Sequence, residues 1–507
     1  MLNRSDQGDG TYRNPVIYGD YSDPDVIRHG DDYYLISSSF SNAPAIPVLH
    51  SCDLVNWKVI NYVCDRVPAY RYLNPIHGCG VWAPSIRYHK GYFYVYFPMP
   101  DEGIYVSRAK DPAEKWDEPV CILPEAGVID PCPFFDDDGK TYLITAVAGS
   151  RKGYKSVLRI HDLSSDGMQV LSDARIIYDG RGTENDPIEG PKVYKRDGRY
   201  YIFAPAGGVK GGFQTVLRAD SIEGPYEYRI VMQQGNSPVN GPHQGAWVDT
   251  VTGEDWFLHF QDVFAGGRIV HLQPMRWQDG WPVIGQASDG ETCGEPVIAY
   301  RKPSVKKHDI APCEPANSDD FADGKPGLQW QWNANPSEDW LSPGPNGRGI
   351  RLRAVKANEL RQIADIPNLL LQKWPAPEFV CETVMNVQGL KAGDEAGIVS
   401  MGEFFGALSI RRSIDEQGLD QFDIICTKGR QEFDRQAAFA RSAVRRHRID
   451  AGLLKEHGWE VLFRYDVHII GHRDVLDRKD PFGNEVWIRN VPVEEIRMSL
   501  SIGGIRL

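Results

Sequence analysis

The chain has 507 residues, 41% of them hydrophobic and 25% charged, and its 56 basic against 69 acidic side chains leave a net charge of −13. No stretch approaches the ~18 uninterrupted apolar residues that span a bilayer, and the composition is that of a folded globular chain, which excludes membrane spanning and disorder. The acidic balance repels phosphate backbones and anionic lipid surfaces, which argues against nucleic acid or a membrane as partner.

In chain order, the first signal is a repeated phrase in which a glycine turn opens an alternating aromatic run. It reads GDDYYLI from Gly30, GYFYVYF from Gly91, GKTYLITA from Gly139, GRYYIFAP from Gly198 and GEDWFLHF from Gly253. Period-two aromatics bounded by Gly and Asp predict strands. Before each phrase stands a short run ending in a turn: DPDVIRHG, APSIRYHKG, DPCPFFDDDG, EGPKVYKRDG and HQGAWVDTVTG. Five strand–turn–strand units, 48 to 61 residues apart, fit four-stranded blades, and the expected fold over residues 1–300 is a five-bladed β-propeller, with a β-sandwich as the alternative. Residues 301–317, rich in Pro, Lys and Asp, read as a linker. Residues 318–507 follow with strand-like runs such as GIVSMG, FGALSIR and QFDIICT, which predict an antiparallel β-sandwich. The stretch KGRQEFDRQAAFARSAVRRHR reads as a solvated basic face.

Nine cysteines without a Cys-x-x-Cys pair indicate neither a zinc cage nor a disulfide framework. Reduced thiols and the lack of an apolar segment after the first charges predict a cytoplasmic protein. His468 and His472, four apart in an apolar strand-like run, do not form a zinc pair, because side chains separated by four residues in a strand stand far apart.

The start of each inner strand of a propeller faces one mouth of its channel. That geometry predicts convergence of Asp23, Trp82 with Ala83, Asp130, Glu189 and His243. Three carboxylates at one mouth repel one another and resist desolvation, so their assembly points to use. Glycoside hydrolysis needs one protonated and one ionised carboxyl, and a third raises the acid's pKa. There is no Gly-x-Ser-x-Gly elbow, phosphate loop or dinucleotide fingerprint.

The ordered motifs NPVIYGDYSDPDVI, SSFSNAPAIPVLHSCDLVNW, GVWAPSIRYHKGYFYVYF, GVIDPCPFFDDDGKTYLI, IEGPKVYKRDGRYYIF, GPHQGAW and GGRIVHLQPMRW over residues 14–300 resemble the family 43 glycoside hydrolases, the β-xylosidase and α-L-arabinofuranosidase group. The resemblance implies an inverting five-bladed propeller in which Asp23 is the general base, Glu189 the general acid and Asp130 the residue that tunes and orients the acid. It also implies that Arg268 binds sugar hydroxyls, that Trp82 and Phe40 form an aromatic wall, and that His243 stands at the axis, where some members hold a calcium ion that His243 would serve through water. From about residue 318 the chain resembles the concanavalin-like sandwich that caps the pocket in exo-acting members, a likeness that fades after about Lys428. The implied substrates are xylo-oligosaccharides or arabinose-substituted oligosaccharides, cut from their ends to release single pentoses without a redox or nucleotide cofactor. An enzyme acting mainly on arabinofuranosides, a retaining fructan-type hydrolase and a non-catalytic sugar-binding propeller are the alternatives. The sequence leaves xylose against arabinose, and a homo-oligomer against a monomer, open.

Overall fold

The computed structural model describes residues 3–307, 310–356, 363–430, 441–480 and 482–507. Residues 25–284 form five four-stranded antiparallel sheets, each an up-and-down meander in sequence order. The first comprises Asp25–His29, Asp32–Ile36, Ala45–Ser51 and Lys58–Cys64; the innermost strands of the others are Ser85–His89, Val128–Phe135, Lys192–Arg196 and His243–Asp249. Five radial blades of this kind are a β-propeller.

The repeated phrase supplies the first hairpin and second strand of every blade. Gly30, Gly91, Gly139, Gly198 and Gly253 all have φ between +64° and +87°, the left-handed region that tight hairpin turns need and that glycine enters without a Cβ penalty. The second strands, such as Tyr92–Met99 and Thr141–Val147, are buried along almost their whole length. Both faces of a blade are covered by neighbours, so these strands read as near-continuous apolar runs rather than strict alternation. Hydrophobic clusters fill the gaps between blades; one joins Ile144, Ile160 and Cys132 to Val193, Ile202 and Leu217.

The ring is closed by the segment before the first blade. The N–H groups of Val16 and Tyr21 donate to the carbonyls of Val270 (2.9 Å) and Arg268 (3.1 Å) in the fifth blade. Below the mouth, Asp25 accepts from the Ile86 N–H and Arg87 Nη1, and Lys192, fully buried, donates to Ser85 Oγ (2.6 Å) and the Pro84 carbonyl. Buried charges persist only when paired and hydrogen-bonded, and this set ties the first, second and fourth blades together two residues below the mouth.

The second unit pairs two four-stranded antiparallel sheets. One runs Phe379–Asn386, Glu460–Lys479, Glu485–Ile502, Ile505–Arg506; the other runs Glu395–Ser400, Phe404–Ile414, Asp420–Arg430, Arg441–Ile449. Ile410, Phe422, Val461, Phe463, Leu500 and Ile502 form the core between them. This is a β-sandwich. Of the basic stretch, residues 431–440 lie outside the described residues, and Arg441–Ile449 is an edge strand in which Arg448 pairs with Asp423 (2.6 Å). His468 and His472 lie on one strand opposite Glu495 and Pro492.

The chain leading into the sandwich is stitched along the first two blades. Ala43 pairs with Trp332, the Asn335 side chain bonds the Val67 N–H and carbonyl, and the His77 ring bonds the Ala364 carbonyl at 2.9 Å.

Candidate active site

The starts of the innermost strands and the loops joining second to third strands share one end of the propeller. Aligning the blades on their inner strands gives equivalent positions Asp23, Ala83, Asp130, Gly190 and Gln244, with Ser22, Trp82, Ile129, Glu189 and His243 one residue earlier. Asp23 and Asp130 thus hold one repeat position, and Trp82, Glu189 and His243 hold the one before it. Backbone angles mark the first: φ is +56° at Asp23, +54° at Asp130, +59° at Gly190 and +33° at Gln244. Non-glycine residues held in this sparsely populated region cluster at functional sites.

Asp23 and Asp130 are 6% and 4% exposed. Each oxygen of Asp23 has a donor, Ser38 Oγ to Oδ2 (2.6 Å) and Arg268 Nη1 to Oδ1 (3.0 Å). Arg268 is itself fixed, with its N–H on Asp20 Oδ1 (3.0 Å) and its guanidinium over the Phe260 ring. Asp130 Oδ2 accepts from the Gly190 N–H (2.8 Å), which joins it to the segment carrying Glu189. Glu189 keeps 30% of its side chain accessible from within the pocket, and its Oε1 lies 3.4 Å from Nε2 of the buried His243. That separation is an electrostatic contact without good hydrogen-bond alignment, because both ring nitrogens of His243 lack a well-formed partner among the described residues.

Phe40, with φ +52°, exchanges two backbone hydrogen bonds with Val81 and so comes next to Trp82. Gly80 permits this approach, because a Cβ there would overlap the Phe40 carbonyl. The Arg151 guanidinium lies over the Trp82 ring at 5.1 Å. These contacts join Asp23 to Arg268, Asp130 to the Glu189 segment and Glu189 to His243, and they set Phe40 beside Trp82.

Burial, and then repulsion from Glu189, push the Asp130 carboxyl up to about 8. Burial pushes Glu189 up as well, but its contact with His243 and the charges of Arg268 and Lys155 outweigh this and draw it below the usual glutamate range. Interacting carboxyls titrate as a pair, and the upward push on Asp130 comes from its burial and from Glu189 beside it. Two carboxyls pushed in opposite directions, beside a third held by Arg268 and Ser38, are the acid–base inventory of a glycosidase.

The His243 ring is not itself a calcium ligand, and a link to an ion there would run through water. Calcium takes six to eight oxygen ligands, whereas the His243 ring meets Glu189 and the Phe260 ring. Among the described residues the metal-type cluster is Asp32, His50 and Cys52, at the opposite end of the first blade, and Lys307 already ion-pairs with Asp32 there (2.6 Å).

The family model for glycosyl hydrolases family 43 matches residues 12–282, the propeller just described. The chain belongs to glycoside hydrolase family 43. A second model, the beta xylosidase C-terminal concanavalin A-like domain, matches residues 318–449. The likeness thus runs past Lys428 and stops before the last long hairpin. A putative beta-xylosidase of Xylanibacter ruminicola is 42% identical over 404 residues, 79% of this chain and 72% of that protein. A beta-xylosidase of Formosa agariphila is 33% identical (82% and 76%), and a non-reducing end alpha-L-arabinofuranosidase of Bacteroides ovatus 31% (77% and 73%). A xylan beta-1,4-xylosidase from Bacillus halodurans superposes with a TM-score of 0.74 at 21% identity, covering 97% of this chain and 98% of that one, which is a likeness of fold.

This family 43 glycosidase also uses residues that sequence reasoning missed. Ser38, within the run SSSFS, holds the second oxygen of Asp23; the serine run beside Phe40 was its signal. Gln244 follows His243, and its amide carbon packs against Gly190, where a Cβ would stand 2.9 Å away.

Proposed function

We propose that the chain is an exo-acting, inverting β-1,4-xylosidase with α-L-arabinofuranosidase activity, acting on xylo-oligosaccharides and arabinose-substituted oligosaccharides. The observation that carries this reading is the set of three carboxyls at one mouth: Asp23 buried and held by Arg268 and Ser38, Asp130 buried and joined through the Gly190 N–H to the segment that carries Glu189, and Glu189 partly accessible beside His243. The names of the relatives favour pentosides, and the arabinofuranosidase among them supports the second activity.

Ionised Asp23 takes a proton from water as that water attacks the anomeric carbon. Glu189 gives its proton to the departing glycosidic oxygen, so the bond to the leaving sugar breaks as the bond to water forms. Asp130, a like charge beside Glu189, disfavours ionisation of both together and so favours a protonated carboxyl on this side of the site. Inversion requires ~6.5–9.5 Å between the Asp23 and Glu189 carboxyls, room for the water. Trp82 and Phe40 offer the pentose an apolar wall. Every step uses side chains of the chain itself, so activity should survive chelation. All nine cysteines are free, which supports a reducing, cytoplasmic setting.

The test is initial rates on p-nitrophenyl β-D-xylopyranoside and p-nitrophenyl α-L-arabinofuranoside for the parent, Asp23→Ala and Glu189→Ala. Loss of turnover in Asp23→Ala supports the reading; because nitrophenolate needs little protonation, Glu189→Ala retains part of it. Failure of the parent on both glycosides overturns the reading in favour of a sugar-binding propeller.

A further inference from the structure

The strands Glu460–Lys479 and Glu485–Ile502 are 20 and 18 residues long, and both lie beyond the 318–449 match. The first part of Glu460–Lys479 and the last part of Glu485–Ile502 belong to the sandwich, where Phe379–Asn386 pairs alongside as far as Val467. Past that point they pair with each other alone. An isolated two-stranded ribbon is marginal in water, yet Ile488 and Val491 in this part are 1% and 4% exposed.

The ribbon tip lands on the loop GGVKGG, residues 207–212, between the second and third strands of the fourth blade. A Cβ on Gly211 would overlap Val486 Cγ1, and one on Gly208 would sit 3.4 Å from Arg478 Nε. The glycines are what let the ribbon come this close. The same loop supports the acid. The Gly207 N–H donates to the Pro187 carbonyl (2.8 Å), two residues before Glu189, and the Lys210 carbonyl accepts from Asn240 Nδ2 (2.9 Å), three residues before His243.

Arg478 stands at this contact with its Nε enclosed and ion-paired to Asp477 Oδ2 at 3.5 Å, while 26% of its side chain stays exposed. A guanidinium carries five N–H donors, more than this one carboxylate contact uses, so its exposed part can donate to an arriving oxygen. Glu189 protonates the leaving oxygen, so the fourth-blade loop beside it flanks the departing sugar. The geometry points to Arg478 as a specificity-determining residue contributed by the sandwich, donating hydrogen bonds to the hydroxyls of the sugar unit beyond the scissile bond. This rests on the exo-pentosidase reading above.

A nitrophenyl group is flat and offers no hydroxyl acceptors, whereas the second xylose of xylobiose does. The experiment compares kcat/KM for xylobiose with kcat/KM for p-nitrophenyl β-D-xylopyranoside in the parent, Arg478→Ala and Arg478→Gln, with a thermal melt of each. Losing a charge-assisted hydrogen bond lowers the xylobiose-to-aryl ratio about tenfold in both variants. Arg478→Gln keeps part of the side-chain packing, so the ratio remains readable if Arg478→Ala folds poorly. An unchanged ratio overturns the proposal, whether both rates hold or both fall together, since a purely structural arginine lowers them equally. A parent that hydrolyses neither substrate overturns the underlying reading instead.

Discussion

Asp130→Asn separates the pair's proton from its shape. Asparagine keeps the side chain's size and still offers an oxygen to the Gly190 N–H. In the parent the carboxyl is displaced from an ordinary 3.8 to about 8, first by burial and then by Glu189; at 1.36 kcal/mol per unit this is on the order of 5 kcal/mol. The folded carboxyl holds its proton where the unfolded chain has released it. The associated stability is therefore fully present below about pH 4 and is lost as pH rises through about 8. The variant has no such loss, so its stability relative to the parent should grow by several kcal/mol between pH 4 and pH 8.5, while activity falls ~10²–10⁴-fold. Urea unfolding followed by tryptophan fluorescence at pH 4, 6 and 8.5 measures the first quantity, and turnover of xylobiose the second. A stability difference that does not change with pH would refute the upward push on the buried Asp130 carboxyl.

The alkaline limb of the parent's kcat/KM profile should lie near pH 8, where the Asp130–Glu189 pair loses its proton. His243→Gln removes the contact that draws Glu189 down, so that limb should move to higher pH; a downward move would contradict the role given to His243. Ser38→Ala deletes the 2.6 Å donor to Asp23 and should lower kcat/KM on aryl xyloside about tenfold at an unchanged far-UV circular dichroism spectrum. Dialysis against EDTA should alter neither activity nor melting temperature, and a loss restored by calcium would show that an ion is held after all.

Much of the propeller was legible because its constraints are local. A hairpin turn with positive φ demands glycine, so Gly30, Gly91, Gly139, Gly198 and Gly253 announced the blades, and aromatic runs after them announced strands buried on both faces. Asp23 and Asp130 stood out because each opens a blade unit, and the structure holds both at a left-handed φ. The one-residue offset of Glu189 was hidden because Gly190 takes the strained position in its place, and only the aligned backbone shows it. Ser38, Gln244 and Arg478 reach the site from a loop, from behind His243 and from a separate domain, distances that no repeat pattern encodes. Which carboxyl holds the proton depends on burial and on His243 in three dimensions, and the sequence carries neither.

The most direct measurement is the anomeric configuration of the first sugar released from xylobiose, followed by proton NMR before mutarotation. Attack by water activated at Asp23 predicts α-xylose as the first product. β-Xylose appearing first would mean that Asp23 forms a covalent bond to the sugar, and would contradict the assignment of Asp23 as the base.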